Sequence, residues 1–306
     1  MKDLENEIGS IAGLPADTVR RYNNQLVRLM SLYLELYPRA IDGDMVEELA
    51  RDCRFSRADA YAQYLAAIAG YDSGGRDRVF FEHWLRPAIY ELDAAEYRSD
   101  PYFRDVGVTD AARGRWRLAR GEYAPYEAFV FRDFKLTGDG RMLPQVGFFT
   151  EKYTYPAVFE NGREWMTLQP NEITTHKKAI AAAHGRVLTF GLGLGYFAYH
   201  ASGKENVESV TVVDVSEEVI ALFREWILPR IPHREKLNFV CRDAFEFADG
   251  GLAGRFDYVY TDIWHDAGDG KALYLKMKEY EKSNPGVDFE YWLEETIRCY
   301  LTPELW

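Results

Sequence analysis

The sequence predicts an α/β protein in three consecutive parts: a helical region over residues 1–120, a small β-rich module over 121–175, and a parallel sheet wrapped by helices over 176–306. Three observations predict it. Apolar residues recur at helical spacing through the first part. Aromatic and β-branched runs separated by turn sequences make up the second. From residue 186 onward, short buried strands alternate with helices, the pattern of a parallel sheet.

In the first part, "DTVRRYNNQLVRLMSLYLELY" places Val19, Tyr22, Leu26, Leu29, Met30 and Tyr33 three and four residues apart, on one helix face. "SRADAYAQYLAAIAGYD" opens on Ser56, a capping residue type, with Asp59 in the first turn. "RVFFEHWLRPAIYELDAAEY" reads as a third helix, bent near Pro87 because proline lacks the N–H that a helix interior needs. The pair "MVEELARDC" and "SRADAYAQYLAAIAG" has the outline of a helix-turn-helix, but the second helix carries almost no basic surface, so an ordinary helical bundle is expected. In the second part, "YEAFVFRDFKL", "QVGFFTEKYTYPAVFE" and "REWMTLQ" are strand-like, parted by the turns "TGDG" and "ENG". "NEITTHKKAIAAAHG" then predicts a helix ending at Gly185. In the third part the predicted strands are Val187–Phe190, Val210–Val213, Leu237–Val240 and Tyr258–Tyr260. The helix "SEEVIALFREWIL" is expected to start from a Ser216 cap. Everything after Tyr260 reads as mostly helical, so the sheet is expected to be shortened at its C-terminal edge.

Composition narrows the function classes. With Asp+Glu 49 against Lys+Arg 37, the chain carries a formal charge of −12, which argues against nucleic acid or an anionic membrane as partner. The 3 cysteines are far apart and form no CxxC pair, and the 6 histidines show no ligand spacing, so neither a disulfide framework nor a metal is expected. "MKDLENEIGSIAGLP" has no apolar core of the signal-peptide kind, and no apolar run approaches the roughly 18 residues of a membrane span. These features predict a reduced, cytoplasmic protein; a small cationic or zwitterionic substrate and a homodimer are compatible with them.

The chemistry concentrates at the ends of the four predicted strands. "RVLTFGLGLGYFAYHAS" runs from a strand through Gly191, Gly193 and Gly195 into a helix. Glycine there lets a ligand lie against the main chain. The second strand ends at Asp214, the third at Asp243 and the fourth at Asp262. Ligands of doubly wound sheets bind outside these carboxyl ends. Asp214 follows Gly191 at roughly the 20-residue spacing at which a carboxylate receives two ribose hydroxyls. Asp243 can accept from an exocyclic amine of adenine. The third glycine comes one residue too early for a dinucleotide fingerprint, which favours a nucleoside without pyrophosphate. Each feature also has a plainer reading: the glycines can make a tight turn, and Asp243 can start a helix.

Taken together, "VLTFGLGLGYFA", "VTVVDVS", "VCRDAFEF" and "FDYVYTDIW" resemble, in order and spacing, the Rossmann-like class I S-adenosylmethionine-dependent methyltransferase superfamily. The resemblance implies that S-adenosyl-L-methionine is the cofactor. Gly191, Gly193 and Gly195 would then face its methionine part, Asp214 its ribose and Asp243 its adenine. "FENGREWMTLQPNEITTHKKAI" before the sheet, with "DIWHD" after the fourth strand, is closest to the spermidine synthase (aminopropyltransferase)-like branch. That branch carries an aspartate within its glycine loop where this chain has Leu194, and a Tyr-His-Glu triplet where it has Thr175, His176 and Lys177.

The resemblance and the strand ends together lead to a methyltransferase acting on a small molecule. Asp262, His265 and Asp266 are the candidate catalytic residues, and Trp264 and His176 the candidate substrate contacts. His265 could equally be a solvent-facing loop residue and Trp264 a packing residue. The alternatives are an aminopropyl- or related alkyltransferase, with Asp262 as base for an amine, and a non-catalytic nucleoside-binding protein.

Overall fold

The computed structural model describes residues 13–107 and 110–306; part of the N-terminal stretch inspected for a signal peptide lies outside them. The chain forms two compact units, neither of them continuous in sequence. One comprises 13–94, 123–153 and 298–306, the other 95–107, 110–122 and 154–297. This corrects the expected division at 120 and 175. The β-rich module is not one body, because its strands pair with different neighbours.

In the first unit, the helix Ala16–Leu36 buries Leu26, Met30 and Tyr33, three of the residues that predicted it. Helices Gly43–Cys53 and Arg57–Ile68 pack against each other and bury side chains in the same core, and Ser56 caps the latter by accepting from the Asp59 N–H. The third predicted helix is broken. Helical turns run from Arg78 to Ala88, and past Pro87 the chain becomes the strand Ile89–Glu91. That strand lies parallel to Met142–Phe148, which pairs on its other side with Phe129–Leu136. Proline ends the helical ladder, and the sheet takes up the backbone groups that follow.

Asn23 fixes this unit from inside. It is 0% exposed, and its side chain makes four hydrogen bonds. The amide nitrogen donates to the carbonyls of Gly140 and Leu305, both at 3.0 Å. Oδ1 accepts from the indole N–H of Trp84 and the backbone N–H of Met142, also at 3.0 Å. One amide thereby joins a helix, a hairpin and the C-terminal tail.

The second unit holds two sheets. Ala111–Arg113, Trp116–Tyr123, Tyr153–Glu160 and Arg163–Thr167 form a four-stranded sheet. Its first two strands fall where the sequence predicted helix. The other sheet contains β1 (Gly185–Phe190), β2 (Val207–Asp214), β3 (Leu237–Cys241), β4 (Tyr258–Thr261) and β5 (Asp288–Tyr291), all parallel, in the order β3-β2-β1-β4-β5. Strand order reverses at β1, as in a Rossmann-like sheet. The helices are α1 (Pro170–Ala182), α2 (Tyr196–Ser202), α3 (Glu217–Trp226), α4 (Ala244–Ala248) and α5 (Ala267–Ser283). Ser216 caps α3 as expected, accepting from the Val219 N–H.

The expectation that no strand follows Tyr260 is corrected by β5, and the sheet stops there, with no further strand among the described residues. "DFEY" is short and half acidic, which hides it from pattern reading. At the edge of the sheet its alternate side chains reach solvent or charge partners: Glu290 pairs with Lys178 at 2.9 Å. No helix among the described residues is long and apolar enough to cross a membrane.

Replacing Asn23 by alanine should leave four buried backbone and indole groups unpaired. At about 1–3 kcal/mol for an unsatisfied buried group, we expect a loss of at least about 3 kcal/mol in urea denaturation. A loss below about 1 kcal/mol would mean that the four bonds are replaced by water or by rearrangement.

Candidate functional site

The five parallel strands stop in register, and main-chain bonds continue the alignment past their ends. Gly191 N–H donates to Val213 O, Asp262 N–H to Phe190 O, Arg242 N–H to Asp214 O and Trp292 N–H to Thr261 O. The segments that follow β1, β2, β3 and β4 therefore open onto one cavity of about 730 Å³. That volume is in the range of small-molecule sites.

The three glycines have different reasons to be glycine. Gly191, at φ +97°, approaches β4 so closely that a Cβ would lie 1.9 Å from the carbonyl oxygen of Asp262. Gly195, at φ +73°, begins α2, and a Cβ there would lie 2.2 Å from the ring of Phe223. Gly193, at φ +55°, would bring its Cβ near only the Met166 sulfur, at 3.6 Å. Gly191 and Gly193 line the cavity and Gly195 does not. Gly195 is thus a packing residue, which corrects its place among the ligand-facing candidates.

Asp214 lines the cavity and also holds the glycine loop. Its Oδ2 accepts from Leu192 N–H at 3.0 Å and its Oδ1 from Ser216 N–H at 2.8 Å. Burial pushes its pKa up, and the two N–H groups partly offset this. Each oxygen keeps a lone pair for a ligand. Asp243 caps α4: its Oδ1 accepts from the N–H groups of Phe245 and Glu246, at 2.9 and 3.1 Å. It is exposed, lines the same cavity, and has Oδ2 left for a ligand.

Opposite the glycine loop stands a group of three side chains: Glu172 and His176 from α1, and Asp262 from the end of β4. His176 is 5% exposed. Its Nδ1 lies 2.7 Å from the Glu172 carbonyl oxygen, which can only accept, so Nδ1 carries the proton. Its Nε2 lies 3.4 Å from Asp262 Oδ2. Burial alone would lower the imidazole pKa, but the carboxylates of Asp262 and Glu172 outweigh it and raise the net value. Glu172 is also held above the usual carboxylate range, first by burial and then by the Asp262 charge, with His176 opposing. Tyr260, from the same strand as Asp262, packs edge-on against His176, and its buried hydroxyl makes no hydrogen bond.

The remaining predicted residues divide. Trp264 is buried, donates its indole N–H to Trp292 O at 3.2 Å, and presents a ring that Gly270 packs against. His265 is exposed, lines the cavity and packs edge-on with Trp165 at 4.9 Å. Asp266 does not line the cavity. Its Oδ1 accepts from Gly268 and Asp269 N–H in a capping box that starts α5. Its assignment as catalytic is corrected: it starts a helix away from the cavity lining.

Sequence reasoning gave no role to Glu172, Trp165, Tyr260 or Trp292, all of which line the cavity. Glu172 had a readable signal, standing four residues before His176 on a predicted helix. The aromatic residues had none, because only the fold brings them together. No protein-family model matches the chain, and no curated protein matches it.

The geometry separates the glycines and the aspartates by experiment. Gly191→Ala should cost more than about 2 kcal/mol in chemical denaturation, since left-handed strain of roughly 1–2 kcal/mol adds to a backbone collision. Gly193→Ala should cost only the strain. Equal losses would mean that the approach to Asp262 has slack. Asp266→Ala should remove a cap, about 1 kcal/mol of stability, and leave ligand binding in the cavity unchanged; a loss of binding at full stability would return it to the site.

Proposed function

We propose that the protein is an S-adenosylmethionine-dependent methyltransferase acting on a small molecule. One observation carries this reading: Gly191, Gly193, Asp214 and Asp243 line one cavity at the carboxyl ends of successive parallel strands, with Asp262 and His176 on the same cavity. Three free cysteines, two of them exposed, support a reducing, cytoplasmic setting.

The residues fit the cofactor at its nucleoside end. Gly193 leaves backbone open to a ligand, Asp214 retains an acceptor on each oxygen for vicinal hydroxyls, and Asp243 Oδ2 is available to an amine. S-adenosylmethionine, when bound, supplies an electrophilic methyl group, so the protein has mainly to align the acceptor. Asp262 orients the acceptor from the end of β4. The Asp262 carboxylate takes the proton that an attacking hydroxyl or amine releases. Trp165 and His265 form an aromatic wall that favours a flat or apolar acceptor and displaces water.

A second reading, transfer of an aminopropyl or related alkyl group to an amine, is favoured by the carboxylates of Glu172 and Asp262, which would attract an ammonium. Leu194, buried at the loop, offers no anion to a second ammonium. Turnover with labelled S-adenosylmethionine distinguishes the two by product: S-adenosylhomocysteine for methyl transfer, methylthioadenosine for aminopropyl transfer. No turnover with intact binding would leave a nucleoside-binding protein.

Two variants should behave oppositely. Asp214→Ala should weaken S-adenosylhomocysteine binding in calorimetry by at least about 1.5 kcal/mol, the lower bound for a charged hydrogen bond. Asp262→Asn should leave that affinity nearly unchanged and slow single turnover by about 10²–10⁴. Parental affinity in Asp214→Ala would refute the ribose assignment. Weakened nucleoside binding in Asp262→Asn would move that residue to the cofactor side.

A further inference from the structure

The cluster of Glu172, His176 and Asp262 has a feature that methyl transfer does not require. Its three ligand-type atoms lie within 4.8 Å of one another, although the sequence separates Asp262 from the other two by most of the sheet. Because Nδ1–H is committed to the Glu172 carbonyl, a neutral His176 directs the lone pair of Nε2 toward Asp262. A proton on Nε2 or a bound cation would each relieve the contact between that nitrogen and the carboxylate. Metal-bound histidines share this arrangement, with one nitrogen on the metal and the other donating to a carbonyl or carboxylate.

The distances agree with a shared cation. Two ligand atoms about 2.1 Å from one ion and a tetrahedral angle apart are about 3.4 Å from each other. Nε2 and Asp262 Oδ2 are 3.4 Å apart. The Glu172 carboxylate lies farther out, with Oε2 3.8 Å from His176 Nδ1, and reaches the same point by turning about its side-chain bonds. An independent observation points to a ligand here. Tyr260 is 1% exposed, its hydroxyl has no hydrogen-bond partner, and it lines the cavity beside His176. A buried hydroxyl without a partner costs stability unless something in the cavity satisfies it.

We propose that Glu172, His176 and Asp262 form a binding site for one divalent first-row cation of the zinc or manganese class. One imidazole and two carboxylates suit such ions rather than soft, thiolate-seeking ones. Two carboxylates and a neutral imidazole carry a charge of minus two before the ion enters, which one divalent ion balances. Coordination positions left free open to the cavity, where the Tyr260 hydroxyl bonds a water or another oxygen donor on the metal. The proposal does not depend on the nucleoside reading, and its test contains no nucleoside.

The test is calorimetric titration of the full chain, freed of metal by chelation, with zinc chloride, repeated with cobalt(II) to read the visible absorption of a bound ion. We expect one saturable equivalent. Affinity should fall at least tenfold in His176→Ala, Asp262→Asn and Glu172→Gln, and severalfold in Tyr260→Phe. It should not change in His233→Ala or Cys241→Ser, which remove potential surface ligands outside the cluster. Far-UV circular dichroism checks each fold. If His176→Ala does not fold, the shape-conserving Glu172→Gln and Asp262→Asn decide. Absence of saturable binding overturns the proposal, and so does binding that survives in the folded cluster variants.

Discussion

The close approach of Gly191 to the main chain of Asp262 is the constraint on which the site depends. Strands β1 and β4 are neighbours, and their ladder extends one bond further, from Asp262 N–H to Phe190 O at 2.9 Å. The carbonyl of Asp262 then occupies the space that a side chain on Gly191 would need. This contact sets where the glycine loop leaves β1 and where the Asp262 carboxylate leaves β4. It thereby places Asp262 opposite the loop and within reach of His176. A residue larger than glycine would have to part the two strand ends, and both sides of the cavity would move.

The carboxylates at these strand ends serve the fold and the cavity together. Asp214 bridges the loop after β1 and the start of α3 through two N–H groups, so its carboxylate is already oriented by backbone. Such a group enters binding with little rotamer freedom left to lose. Asp243 caps α4 with one oxygen and leaves the other. Asp266 caps α5 in the same way, one oxygen taking two N–H groups, but it lies outside the cavity lining. Aspartates alike in sequence, each accepting two backbone N–H groups, are separated by where the fold puts them relative to the cavity.

Glu172, His176 and Asp262 follow a different logic. They are not satisfied by backbone alone, and their charges act on one another in a mostly buried place. A proton on His176, a cation between the three groups, or an acceptor with positive character would each lower the energy of the cluster. The same electrostatics leaves this end of the cavity with unmatched charge, while Asp214 at the glycine end is already bonded to backbone. In the other unit Asn23 shows the contrast: its four bonds are complete, so it stabilises and has no chemistry to offer.

The sequence by itself determined the parallel strands, their ends and the cap at Ser216, because period, β-branching and capping are local properties. It placed Gly191, Gly193, Asp214, Asp243 and Asp262 at the strand ends for the same reason. Only the tertiary structure decided the rest. The strand β5 has too few apolar residues to be seen, and exists because the edge of β4 offers it a ladder. The strand Ile89–Glu91 reads as helix until Met142–Phe148 is there to pair with it. Gly193 and Gly195 look alike in the chain and differ only by what stands opposite, an open cavity or the ring of Phe223. Glu172 and His176 stand on one helix face by sequence, but nothing local says that Asp262 closes the group. That meeting depends on α1 packing beside a strand far along the chain, and proximity between distant residues is a property of packing, not of pattern.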